Sequence, residues 1–173
     1  PSGSYSVGNA TQCDACATGY YSDDQAGECI TCPAGSSCDD ASVAPVACAA
    51  GTFSRASAVE CQACPTGYYS DVGAADSCSL CPAGHSCADA SVAPVTCSAG
   101  TYAGAGSTQC SKCPAGSACG DAAEAPDACS LGEYAAAGSS KCESCLAGHY
   151  CETASEQLAC ATGLYSLGGA VAC

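Results

Sequence analysis

The cysteines recur with a rhythm that leaves little choice of fold. They stand at 13, 16, 29, 32, 38, 48, 61, 64, 78, 81, 87, 97, 110, 113, 119, 129, 142, 145, 151, 160 and 173. Their gaps repeat as C-x2-C, C-x5-C, C-x9-C (once x8) and C-x12-C (once x13). A covalent framework that repeats implies a fold that repeats. The expected architecture is small and disulfide-rich, an elongated tandem array of short β-ribbon and turn modules with almost no helix. Twenty-one cysteines in 173 residues is the density of a disulfide scaffold made in an oxidising compartment. The chain has one Phe, no Trp and no Met, and its apolar share is mostly Ala and Cys. A large apolar core is therefore out of reach, and cross-links of about 2–4 kcal/mol each must supply the stability.

Two kinds of loop account for nearly the whole chain. The long loop reads C-x-x-G-x-[Y/F] and closes at the next cysteine. It begins at Cys16, Cys48, Cys64, Cys97, Cys129 and Cys160. Its glycine falls three residues on (Gly19, Gly51, Gly67, Gly100, Gly132, Gly163), its aromatic five residues on (Tyr21, Phe53, Tyr69, Tyr102, Tyr134, Tyr165). The glycine supplies a backbone conformation or a close approach that a Cβ would obstruct. In an extended segment the aromatic two residues later shares its face, where it is expected to cover the disulfide and bury most of the module's scarce apolar area. The short loop, C-P-A-G-x-x-C, runs from Cys32, Cys81 and Cys113, with a variant from Cys145 in which Leu146 replaces the proline. Pro followed by Gly is turn chemistry. From each C-x2-C start the chain divides into a partial module at 1–12, two long repeats at 13–60 and 61–109 that share SVAPV, and two short repeats at 110–141 and 142–173. These limits are frames of convenience.

Spacing alone does not settle connectivity. The module grammar favours local pairs: Cys16–Cys29, Cys32–Cys38, Cys48–Cys61, Cys64–Cys78, Cys81–Cys87, Cys97–Cys110, Cys113–Cys119, Cys129–Cys142, Cys145–Cys151 and Cys160–Cys173. A crossed pattern within each C-x2-C-x5-C cluster is the arrangement that spacing also leaves open. The local scheme leaves Cys13 unpaired within the chain. Gly3 and Tyr5 occupy the long-loop glycine and aromatic places, so a cysteine directly before Pro1 would complete that loop. The chain is accordingly expected to be cut from a longer array, with Cys13 pairing upstream.

Other chemistry finds little support. The net charge is −14, with only Arg55, Lys112 and Lys141 as cations. Such a polyanion repels phosphate backbones and anionic lipid, which argues against nucleic-acid binding. No segment is long and apolar enough to span a membrane, so no direct membrane insertion is expected from this segment. Cys13-x2-Cys16-x12-Cys29-x2-Cys32 and Cys61-x2-Cys64-x13-Cys78-x2-Cys81 have zinc-ribbon-like spacing. That pattern fails in residues 110–173, and zinc has no use for the repeated C-x5-C, so no metal is expected. Asp23-Asp24 and Asp39-Asp40 lie outside any EF-hand loop and read as solvated turn acids. His85 and His149 take equivalent places in short loops and read as surface turn residues. No catalytic motif is present; neither enzyme activity nor a cofactor is expected. Asn9 opens the sequon Asn9-Ala10-Thr11, an N-glycosylation acceptor in a secreted chain. The Ser42–Pro45 and Ser91–Pro94 stretches suit O-linked glycans by composition.

The C-x-x-G-x-Y loops followed by C-x2-C resemble the cysteine-rich modules of tumour-necrosis-factor receptors. They are still more similar to ephrin-receptor-like CPAG repeats, which also form long arrays in protist surface proteins and flagellar surface structures. The resemblance covers the whole chain and implies an elongated ladder of disulfide-bonded ribbons. The receptor modules usually have crossed pairs and wider spacing where this chain has C-x5-C, and they carry basic, ligand-contacting residues that are missing here. The expected role is an extracellular, cell-surface structural protein: a glycosylated rod segment of a filament, hair or coat that self-associates in an open, heterologous manner. The alternative is the ectodomain of a receptor or adhesion protein that binds a protein partner.

Overall fold

The computed structural model describes residues 1–8 and 10–173. They form no helix, ten disulfides and ten two-stranded antiparallel ribbons in tandem. The chain makes two compact bodies, one of Pro1–Leu80 with Asp89–Ala93 and one of Cys81–Ala88 with Pro94–Cys173.

The first body holds five ribbons. They are β1 (Ser4–Tyr5) with β2 (Asp14–Ala15), β3 (Tyr20–Tyr21) with β4 (Ile30–Thr31), β5 (Ser36–Ser37) with β6 (Val46–Ala47), β7 (Thr52–Phe53) with β8 (Gln62–Ala63), and β9 (Tyr68–Tyr69) with β10 (Ser79–Leu80). The second body repeats the plan. It has β11 (His85–Ser86) with β12 (Val95–Thr96), β13 (Thr101–Tyr102) with β14 (Ser111–Lys112), β15 (Ser117–Ala118) with β16 (Asp127–Ala128), β17 (Glu133–Tyr134) with β18 (Glu143–Ser144), and β19 (His149–Tyr150) with β20 (Leu158–Ala159).

A single period of 16 residues, once 17 and once 15, runs beneath the long and short loops. Its marker is a glycine at positive φ, at 3, 19, 35, 51, 67, 84, 100, 116, 132, 148 and 163, which directly precedes a first strand in every unit but the last. Each unit opens with a cysteine three residues before that glycine, except the first. The two loop types are then one unit closed in two ways. In the long-loop unit the opening cysteine bonds to the cysteine thirteen or fourteen residues on, as Cys16 to Cys29 and Cys64 to Cys78. In the short-loop unit it bonds to the cysteine six residues on, as Cys32 to Cys38. In three of the four short-loop units the thirteenth place is then taken by proline, Pro45, Pro94 or Pro126, directly ahead of the ribbon's second strand; in the unit from Cys145 it is Leu158, in the strand itself. Proline suits that position because it precedes the strand rather than interrupting it.

The sixth place explains why the units are interchangeable. It is buried in long-loop units (Ser22, Ser54, Ser70, Ala103, Ala135, Ser166) and in short-loop units (Cys38, Cys87, Cys119, Cys151) alike. Only a small side chain fits, and Ser, Ala and Cys all do. Its backbone joins neighbours: Ser54 N donates to Ala75 O at 3.1 Å, while Ser54 O accepts from Gly35 N at 2.9 Å. In the second body Ala103 N donates to Ala122 O at 2.9 Å and Ala103 O accepts from Gly84 N at 2.8 Å. Within a body a ribbon is closed at its base by the next cysteine, as Cys32 N donates to Gly19 O and Cys113 N to Gly100 O, both at 2.9 Å. These bonds satisfy backbone groups that a two-residue strand leaves unpaired.

The core that results is made of sulfur and small residues. Cys32, Cys81 and Cys113 are fully buried. The aromatics, expected to bury most of the apolar area, are half-buried at Tyr21, Phe53, Tyr69, Tyr102 and Tyr134, and Tyr165 is 81% exposed. A two-stranded ribbon has no second sheet or helix to cover the face that bears them. The second strands are exposed throughout, including Ile30, Val46, Leu80 and Val95.

At Ser22, Ser54 and Ser166 the sixth-place hydroxyl adds a bond to the preceding unit, as Ser54 Oγ donates to Ser36 O at 2.7 Å and Ser22 Oγ to Ser4 O at 3.0 Å, whereas Ser70 Oγ donates to Val72 O within its own unit. Ser54→Ala should keep the fold, because Ala103 and Ala135 occupy the same place, and should lower stability by about 1 kcal/mol for one lost buried hydrogen bond. Denaturant unfolding of the oxidised protein measures it.

Candidate functional site

The most concentrated chemistry in the chain is its covalent framework. The structure joins Cys16 to Cys29, Cys32 to Cys38, Cys48 to Cys61 and Cys64 to Cys78 in the first body. In the second it joins Cys81 to Cys87, Cys97 to Cys110, Cys113 to Cys119, Cys129 to Cys142, Cys145 to Cys151 and Cys160 to Cys173. The Cα–Cα separations run from 5.6 Å at Cys48–Cys61 to 6.1 Å at Cys145–Cys151, within the range a disulfide spans. Cys13 is exposed and carries no bridge among the described residues. The cysteines with zinc-like spacing, Cys13 apart, are all consumed in these bonds. Among the described residues no three His, Cys, Asp or Glu side chains are grouped so as to hold a metal ion.

The two histidines do not sit in turns. Each follows the marker glycine and so begins a strand, His85 opposite Thr96 and His149 opposite Ala159, and both are half-buried. His85 Nδ1 lies 3.1 Å from Ala83 O, whereas His149 Nδ1 has no hydrogen-bond partner. Ser166 Oγ donates to His149 O at 2.6 Å, which ties that ribbon to the following unit. The histidines lie in separate ribbons, and neither makes a hydrogen bond to a nucleophile or an acid.

Of the two acidic pairs, Asp39-Asp40 forms a turn that recurs at Asp89 and Asp121, whereas Asp24 lies 3.5 Å from the amino group of Pro1. Asp40 Oδ1 accepts from Ser42 N at 2.8 Å and from Ser42 Oγ at 2.6 Å. Asp89 Oδ1 does the same with Ser91, at 2.8 Å and 2.6 Å, and Asp121 Oδ1 accepts from Ala123 N at 2.8 Å. These are Asx-turns, in which a side-chain oxygen stands in for a backbone acceptor. The Ser42 hydroxyl, and then its amide, hold the Asp40 carboxyl below the ordinary aspartate range, and Ser91 acts in the same way on Asp89. A depressed carboxyl contributes stability that is present above the ordinary aspartate range and is lost as pH falls through the lowered value. The SVAPV turns should therefore loosen only in strong acid. Ser42→Ala should move the Asp40 titration back towards the ordinary range, as read from its side-chain carboxyl carbon by NMR.

Open recesses recur on the surface of the described residues. One in the first body, of about 370 Å³, is lined by Tyr5, Ala15, Ala17, Tyr20, Glu28 and Cys29. A matching one in the second body involves Tyr150, Ala159, Ala161, Leu164, Ala172 and Cys173. Their equivalence shows them to be a property of the repeat. No helix of the described residues is long and apolar enough to cross a membrane. Asn9, the proposed glycan acceptor, lies outside the described residues.

No curated protein matches the chain. Residues 51–97 match the family described as tyrosine-protein kinase ephrin type A/B receptor-like. That stretch contains three ribbons, the two complete bridges Cys64–Cys78 and Cys81–Cys87, and the first cysteine of Cys97–Cys110. Ten disulfides in a repeated ribbon framework, together with a match to a family of extracellular receptor modules, indicate that the chain is similar to an ephrin-receptor-like cysteine-rich module of the extracellular space.

Proposed function

We propose that this chain is an extracellular structural protein, a glycosylated, disulfide-laddered rod segment in a filament, hair or coat at the cell surface. The observation that carries the reading is uniformity. Within each body the sixth residue of a unit donates its backbone N–H to a carbonyl of the following unit, as Ser22 to Ala41, Cys38 to Ala58 and Ala135 to Ala154. No unit departs from the others in a way that marks a specialised ligand site. Uniform units interacting with their neighbours are what a one-dimensional repeat needs, and near-identical surfaces can stack on further copies in an open arrangement. The role requires no catalysis, cofactor or nucleic acid. Asn9 and the Ser- and Pro-containing turns are the candidate glycan carriers.

A receptor or adhesion ectodomain that binds a protein partner is the second reading, favoured by the ephrin-receptor-like match at residues 51–97. Electron imaging of unreduced material from the natural source separates the two. Long regular fibres with sugar density are the expected result. Discrete short rods attached to membrane would overturn the filament in favour of the ectodomain.

A further inference from the structure

The ten bridges differ sharply in exposure, and the division follows loop type. In each short-loop pair both cysteines are buried: Cys32 and Cys38, Cys81 and Cys87, Cys113 and Cys119, and Cys145 and Cys151 are all between 0% and 4% exposed. Every long-loop pair has at least one cysteine that reaches the surface. Cys16, Cys29, Cys64, Cys78, Cys129, Cys142 and Cys160 are half-buried and Cys173 is exposed. Cys48 and Cys97 are buried, but their partners Cys61 and Cys110 are half-buried.

We propose that the framework consists of two redox classes, six exchangeable long-loop bridges and four sealed short-loop staples. Reduction begins when a thiolate attacks one sulfur of a bridge, forms a mixed disulfide with it and releases the other cysteine as a thiolate. With a dithiol reductant, its second thiol then displaces the first cysteine, leaving two cysteine thiols and an oxidised, cyclic dithiol. The attack requires access to a sulfur. The long-loop bridges offer it in the native state, whereas the short-loop staples become reachable only after local opening, which carries its own free-energy cost. The sealing has a visible source. The sixth-place cysteine is held by the following unit, as Cys38 N donates to Ala58 O, Cys87 N to Ser107 O and Cys119 N to Ser139 O, each at 3.0 Å. Mild reduction thus opens the long loops while the staples stay closed. The long-loop bridges are also where a thiol of an oxidoreductase or a second chain would enter. The inference holds for a filament or an ectodomain alike.

The test is graded reduction with dithiothreitol in non-denaturing buffer, quenched with an alkylating reagent and mapped by mass spectrometry after peptic digestion. Cys13, which carries no bridge among the described residues, is left out of the comparison. Cysteines of the six long-loop bridges should then label about tenfold faster than those of the four staples, and the two rates should converge to within about threefold in concentrated guanidinium, where burial is gone. A native ratio below about threefold overturns the proposal. A ratio that persists in guanidinium also overturns it, because loop size rather than burial would then be the cause.

Discussion

Gly100→Ala is expected to be among the most damaging single substitutions in the chain. Gly100 has φ +77, and a Cβ built on it would land on the carbonyl oxygen of Gly138, in the turn two units further along. The left-handed backbone alone costs an alanine about 1 kcal/mol. The collision adds to this, because a backbone carbonyl cannot rotate out of the way as a side chain can. A total of about 2–4 kcal/mol is expected, in line with other overpacked or strained positions. Gly148→Ala is the control. It has φ +80 in the equivalent place, but nothing lies within 4 Å of the added carbon, so only the conformational cost of about 1 kcal/mol should appear. Equal losses in the two variants, measured by denaturant unfolding, would show that the inter-unit approach contributes nothing.

Complete reduction should have the largest effect of all. Each bridge contributes about 2–4 kcal/mol, whereas the net stability of a folded domain is about 5–15 kcal/mol. Loss of a handful of the ten bridges therefore exceeds any plausible margin. There is also no apolar core to fall back on, because the most buried side chains are the cysteines themselves. The fully reduced chain is expected to expand towards unfolded dimensions and to lose amide protection along its whole length. Small-angle scattering and hydrogen exchange test this directly. A reduced chain with native dimensions and protection would show that the backbone bonds between units suffice without sulfur.

The fold class was legible because cysteine spacing reports it directly: C-x2-C joints and glycines three residues past a cysteine can be read without any knowledge of packing. The 16-residue period was less visible. It is hidden because Cys38, Cys87, Cys119 and Cys151 stand at the sixth place, while Pro45, Pro94 and Pro126 replace a cysteine at the thirteenth. Gap lengths therefore change although the ribbon does not. The buried role of Ser22, Ser54 and Ser70 was concealed for a related reason, since a serine between an aromatic and an acidic or basic residue looks like surface. A closer comparison of PAGSSC with ATGYYS would have aligned Cys38 with Ser22. The contacts of Gly19 with Ser57 and of Gly100 with Gly138 join residues 38 positions apart, beyond what local spacing can show. PAGH and LAGH read as turns throughout, whereas the strand begins at the residue after glycine, at His85 and His149. No candidate catalytic or metal site was legible, and the chemistry found is that of the cross-links.

The bridge pattern also determines how the chain would respond to tension. A disulfide carries load directly between its cysteines, so the residues inside a closed loop cannot lengthen while the bond holds. From Cys16 onward, slack is confined to the C-x2-C joints and to the stretches 38–48, 87–97, 119–129 and 151–160 that no bridge spans. Each such stretch can extend by at most about 3.3–3.6 Å per residue, after which further force falls on covalent bonds. A pulled chain would thus yield in a few short, evenly distributed steps and then stiffen abruptly, like a cord with a small built-in stretch.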